Sequence, residues 1–150
     1  MFSIIEERAE DQDAVLQLAR LSLGNRLTDS PAARMRAGTE PVPGLSMVVH
    51  ENDQLVGTIR YWPVLIGAGT RAIQLGPVAI DPDHRGRGFA RMLIRYSLDR
   101  AQALGHRLVV LIGEHGLYQR YGFEPALPHG ILLPESKDRD RLQILALTPG

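Results

Sequence analysis

A chain of 150 residues, with hydrophobic side chains at 44% and charged ones at 23%, has the size and balance of one ordinary hydrophobic core rather than of a disordered chain. Seventeen basic residues cancel seventeen acidic ones, so no long-range field holds the molecule to nucleic acid or an anionic bilayer, and any anion site must be local. The absence of cysteine rules out disulfides, thiolate metal sites and a cysteine acyl-enzyme.

The N-terminus is charged within its first residues, lacks the apolar run of a signal peptide, and is followed by no stretch able to span a bilayer, so a cytoplasmic protein is expected. No repeat, low-complexity tract or linker divides the sequence, which predicts one domain over residues 1–150.

In chain order, Phe2 to Glu7 reads as a first strand. Asp11 or Asp13 can then cap a helix whose Val15, Leu18, Ala19 and Ser22 recur at helical spacing and which stops near Gly24. From Asn25 to Pro43 the chain mixes Pro, Gly and charge, with room for a short helix around Ala32 to Arg36. This stretch is a candidate lid or substrate loop. Leu45 to His50 and Leu55 to Trp62 flank the polar turn Glu51-Asn52-Asp53-Gln54 and predict an antiparallel hairpin. Ala72 to Ile80 is the next strand, and Gly76-Pro77 within it predicts an edge or a bulge, because proline has no N–H for the ladder.

Ala90, Leu93, Ile94, Ser97, Ala101 and Leu104 form the stripe of a helix from Gly88 to Leu104, stopped by Gly105. Leu108 to Ile112 is a continuous apolar run suited to a strand covered on both faces. A short helix over Gly116 to Tyr121 and a last strand over Leu142 to Leu147 complete the order. Strand, helix and strand from Ala72 to Ile112 require a parallel pair while the hairpin is antiparallel, so the fold is α/β with a mixed sheet.

Asp81-Pro82-Asp83-His84-Arg85-Gly86-Arg87-Gly88-Phe89-Ala90 joins a strand end to the start of the long helix. Unpaired N–H groups and the helix dipole suit that turn to phosphate oxygens, and Arg85, Arg87 and Arg91 add positive charge. It is not a P-loop, since no Gly-Lys-Ser/Thr triplet occurs, and Arg91 stands where the dinucleotide fingerprint needs its third glycine.

Arg85, Gly88 and Ala90 satisfy the pattern Arg or Gln, two residues, Gly, one residue, Gly or Ala. With Leu75-Gly76-Pro77-Val78-Ala79-Ile80-Asp81-Pro82 before it and Tyr118-Gln119-Arg120-Tyr121-Gly122-Phe123 after it, the chain resembles the GNAT superfamily of N-acetyltransferases. The likeness is firm from about Gln74 to Glu124. It implies a mostly antiparallel central sheet of six to seven strands, flanked by helices, with a V-shaped split between two central parallel strands. It also implies acetyl-CoA as acyl donor. Backbone groups of Val78, Ala79 and Ile80 would pair with pantetheine, and Arg85 and the amides of Gly86, Arg87, Gly88, Phe89 and Ala90 would hold the pyrophosphate.

The chemistry implied is direct attack of a neutral amine, from a small molecule or a peptide, on the thioester carbonyl, with a main-chain N–H near Val78 facing the oxyanion. Tyr118 stands where relatives carry the acid that protonates the leaving thiolate, and Tyr121 is expected in the core. The base stays open: Gln74 cannot take a proton, leaving His50, Glu51, Glu114, His115 or a water chain. The five histidines form no ligand cluster, so no metal is expected. Arg60, Tyr61 and Trp62 are expected as sheet packing and a surface charge. A homodimer is common among relatives, but the sequence carries no sign of one. A competing reading is a non-catalytic domain that binds or senses acyl-CoA.

Overall fold

The computed structural model describes residues 1–131 and 141–147. Seven strands form one sheet in the order β1-β2-β3-β4-β5-β7-β6: β1 (Phe2–Glu6), β2 (Met47–Glu51), β3 (Gln54–Ile66), β4 (Thr70–Ile80), β5 (Leu108–Ile112), β6 (Glu124–Pro125) and β7 (Leu142–Ala146). Every neighbouring pair is antiparallel except β4 with β5. That pair is joined by the long helix, as a parallel crossover demands.

The helices are α1 (Gln12–Leu23), α2 (Pro31–Arg36), α3 (Phe89–Ala103) and α4 (His115–Tyr118). Val15, Leu18 and Ala19 are the buried residues of α1, at the expected spacing. Asp11 precedes α1 but makes no side-chain cap to it. Its carboxylate accepts the Arg8 N–H at 2.9 Å and lies 3.2 Å from His50 Nε2, so local ionic partners outcompete the helix amides. A cap does form at α2, where the Ser30 hydroxyl accepts the Ala33 N–H at 3.1 Å and Pro31 opens the first turn.

The hairpin turns at Asn52 and Asp53, both left-handed with φ of 51° and 68°, the geometry that a two-residue loop between twisted strands requires. On one face of the sheet, Phe89, Leu93, Ile94, Leu98 and Ala101 of α3 pack on Ile59, Ile73, Leu75, Val109 and Leu111. On the other, Val110 joins Ala72, Leu142 and Ile144, with Met35 of α2 against them. Successive residues of β5 thus feed opposite clusters, which explains why its sequence does not alternate. Each fully buried Leu or Ile contributes about 1.5–3 kcal/mol. Ser97 lies in the α3 stripe because its hydroxyl meets the buried Tyr61 phenol at 2.7 Å.

The bulge at Gly76-Pro77 is present. Ile59 pairs with Val78 and Tyr61 with Leu75, so Arg60 alone opposes both Gly76 and Pro77. Trp62 Nε1 donates to the Gly76 carbonyl at 2.6 Å. Arg60 is not the surface charge expected: it donates to both oxygens of Glu7, at 2.9 and 2.7 Å, and is largely covered. β4 and β5 share register only at Ile73 with Val109 and Gln74 with Val110, so they have parted by the time β4 reaches the bulge. The two-residue β6 is too short to leave a periodic signal.

Candidate active site

The walls of the split follow from strand geometry. Asp81 N–H donates to the Val56 carbonyl at 2.8 Å, so Asp81 faces β3. Backbone groups alternate edges along a strand, so Ala79 also faces β3, while Val78 and Ile80 face the side that β5 has left.

The loop after β4 is pinned at its base. Asp81 accepts from the Asp83 N–H at 3.2 Å and lies 2.6 Å from His84 Nδ1. Gly86 and Gly88 then adopt φ of 80° and 85°, the left-handed region that side chains disfavour. The first α3 bond runs from Met92 N–H to the Gly88 carbonyl. Among the described residues, the N–H groups of Gly86 through Arg91 donate to no acceptor. Phe89, only 2% exposed, anchors this helix start and meets Phe2 edge-on at 5.2 Å. A row of unpaired amides at a dipole's positive end, beside Arg85 and Arg91, can hold a diphosphate.

Two adjoining cavities occupy the split. The larger, about 710 Å³, is bounded by Val78 to Ile80, Arg85, Gly86, Gly88 to Arg91 and Tyr121. The smaller, about 350 Å³, is bounded by Leu75 to Val78, Leu111 to Glu114, Ser30, Arg36 and Arg141. Leu23, Arg26, Val78, Leu117 and Tyr118 border both. Of the nine residues expected at the cofactor, eight border the larger cavity. Arg87 does not: its guanidinium donates to Glu51 at 2.8 and 2.5 Å and lies 4.9 Å over the Phe89 ring. Its charge fastens the loop to β2, and only its amide faces the anion site.

Tyr118 closes α4 at the junction of the cavities. Its ring meets Phe123 edge-on at 6.3 Å. Burial holds its phenol above the ordinary value, Tyr121 acts in the same direction, and Arg141 opposes them. No hydrogen bond ties its hydroxyl among the described residues. Tyr121, expected in the core, is half-buried and packs at the core's rim, its ring 5.1 Å below the Arg95 guanidinium.

Of the four side chains left open as base, Glu114 alone borders a cavity. His50 pairs with Asp11 and Glu51 with Arg87. His115 begins α4 away from both cavities. Gln74 donates through Nε2 to the Ala32 carbonyl at 3.0 Å. The stretch Asn25 to Pro43, read as a lid or substrate loop with room for a short helix, supplies Arg26, Ser30 and Arg36 to the walls, and Arg141 left no sequence signal. Among the described residues no group of three or more His, Cys, Asp or Glu could hold a metal ion, and no helix is long and apolar enough to cross a membrane.

Residues 3–126 match the model of the acetyltransferase (GNAT) domain. Over 89 residues, 58% of this chain, the sequence is 34% identical to YhbS of Escherichia coli strain K12, an uncharacterized N-acetyltransferase of which the match covers 53%. It is 36% identical over 84 residues, 51% of the chain, to N-acetyltransferase 8B of Rattus norvegicus, of which it covers 38%. The chain thus spans about half or less of the length of these curated relatives. In three dimensions it resembles YhbS from Escherichia coli in complex with CoA, with a TM-score of 0.81, 26% identity, and coverage of 98% of this chain and 82% of that one. A GNAT family acetyltransferase from Brucella melitensis in complex with acetyl-CoA gives a TM-score of 0.72, 30% identity, and coverage of 99% and 90%.

Proposed function

The chain belongs to the GNAT acetyltransferase family, and on that premise we propose that it transfers an acetyl group from acetyl-CoA to a primary amine by direct attack. One observation carries the proposal. The pairing of β4 with β5 ends at Gln74 and Val110, which leaves the Val78 and Ile80 edge open beside the unpaired amides of Gly86 through Arg91. An extended pantetheine arm can add to that edge as a strand does, with its diphosphate at the helix start. The complexes of the two structural relatives with CoA and acetyl-CoA support this reading.

The thioester then lies at the junction where Val78 and Tyr118 border both cavities. Val78 N–H donates to the carbonyl oxygen as it takes up charge, and a fixed donor needs no reorganisation in a site shielded from water. A neutral amine in the smaller cavity forms the C–N bond, and the C–S electron pair leaves on sulfur. Tyr118 gives its proton to that sulfur, and the surplus proton on nitrogen returns to the phenolate through solvent. No group on the protein is acylated.

The test measures thermal stabilisation by acetyl-CoA and thiol release in the presence of an amine panel. Stabilisation with thiol release supports the reading, and an unchanged melting temperature with saturating acetyl-CoA overturns it. Stabilisation without thiol release from any amine reduces the activity to acyl-CoA binding.

A further inference from the structure

We propose that the acceptor is a small amine bearing a carboxylate, and that Arg36 binds that carboxylate. This inference rests on the acyltransferase reading for the identity of the smaller cavity, and it is carried by that cavity's charge. Arg26 and Arg36 border it, and among the described residues that line it Glu114 is the only carboxylate. Two guanidinium groups, one of them covered, do not suit an acceptor whose only charged group is an ammonium.

Arg36 is the decisive residue. It is 9% exposed, and its guanidinium lies 5.8 Å from the centre of the Trp62 ring. Nη2 donates to the Leu27 carbonyl at 2.8 Å, and among the described residues no carboxylate accompanies it. A guanidinium has five N–H donors, and a covered cation without a counter-ion is retained at a cost that an arriving anion removes. A planar fork held against an aromatic face is preset for the two oxygens of a carboxylate. Burial also lowers the pKa of Arg36, as expected of a cation lacking an ionic partner.

The anion concerned is not one of the donor's phosphates. The unpaired amides lie past the C-terminal end of β4, beyond Ile80, whereas Arg36 shares its cavity with Leu75 to Val78 on the other side of the Val78 and Tyr118 junction. Trp62 fixes the geometry, since it lies under Arg36 and donates to the Gly76 carbonyl. Gly76 is two residues before Val78, a strand distance of about 7 Å at most. A carboxylate on Arg36 therefore leaves room for an amine a few bonds away to reach a carbonyl at Val78. A cavity of about 350 Å³ suits a small molecule rather than a folded protein surface.

The experiment compares the proteinogenic α-amino acids, β-alanine and 4-aminobutyrate, each against its own carboxamide, with thiol release and kcat/KM as the readout. At least one acid is expected to exceed its amide by about tenfold or more. In Arg36→Gln that preference should vanish, with the stabilisation by acetyl-CoA retained as proof of an intact fold and donor site. Equal kcat/KM for acids and amides, or a preference that survives in Arg36→Gln, overturns the role of Arg36 and leaves the acyltransferase reading standing. If Arg36→Gln does not fold, the matched pairs in the unaltered protein decide.

If none of the probes releases thiol, the same pairs are titrated into CoA-saturated protein. A higher melting temperature with the acid than with the amide supports the carboxylate site, and equal melting temperatures overturn it. Failure of the acyltransferase reading is separately visible as absent stabilisation by acetyl-CoA itself.

Discussion

Gly113 lies so close to Tyr118 that a Cβ on the glycine would stand 2.7 Å from the tyrosine Cε2. The glycine follows β5 at the mouth of the split, with its N–H donating to the Arg141 carbonyl at 2.8 Å. Its missing side chain is the space in which the phenol sits. Gly113→Ala should push the ring off its position while leaving the amides of the α3 turn untouched. Steady-state kinetics should show kcat down roughly tenfold, the equivalent of about 1.4 kcal/mol, with acetyl-CoA affinity little changed.

Removing the hydroxyl itself is the more direct test. Tyr118→Phe keeps the packing on Phe123 and should lower kcat by about a hundredfold or more, the usual worth of a positioned acid. Because burial raises the phenol's pKa, its contribution is full at neutral pH, holds through the ordinary tyrosine value of about 10, and is lost as pH rises through the folded value. A pH–rate profile checks this: the alkaline fall should be present in the parent and absent in Tyr118→Phe. Unchanged kcat in the variant would remove Tyr118 from the mechanism.

Glu51 acts at a distance from the chemistry, by holding Arg87. Hydrogen bonding from Arg87 keeps the Glu51 carboxyl below the usual carboxylate range, and His84, 3.5 Å away, adds to the effect. The folded-state pKa is depressed, so the anchor is in place above the ordinary value of about 4.3 and lost as pH falls through the folded one. Glu51→Gln should loosen the turn and weaken acetyl-CoA binding by roughly three- to tenfold. Calorimetric titration reads that change, with kcat at saturating donor unaffected.

Gly88 precedes α3 with φ of 85° and nothing within 4 Å of a built Cβ. A substitution there meets strain rather than a clash. Gly88→Ala should cost about 1–2 kcal/mol of stability in denaturant unfolding, and more in acetyl-CoA affinity than any change confined to the Arg87 side chain.

Local chemistry made much of this visible in the sequence. Proline's missing N–H announced the bulge at Gly76-Pro77, the stripe from Ala90 to Ala101 announced α3, and the glycines at the α3 start announced a turn with unpaired amides. The family motif, not periodicity, singled out Tyr118. What stayed hidden depends on pairs far apart in sequence. Arg87 reads as one more phosphate-facing arginine until Glu51, 36 residues earlier, takes it. Arg36 gains meaning only from Trp62 beneath it and Arg141 across the cavity. Asp11 fits a helix-cap pattern, and the competing claims of Arg8 and His50 are invisible in that pattern.

The extra residue in β4 also resets which side chains face inward. Ile73 and Leu75 point into the cluster beneath α3, and so do Val78 and Ile80, odd positions before the bulge and even ones after it. Were Gly76 and Pro77 to fill two regular strand positions instead of sharing the place of one, Val78 and Ile80 would pass to the opposite face and their amides would turn toward β3. The proposed acyl transfer thus depends on how two residues fill the place of one between Leu75 and Val78, as much as on the identity of any side chain.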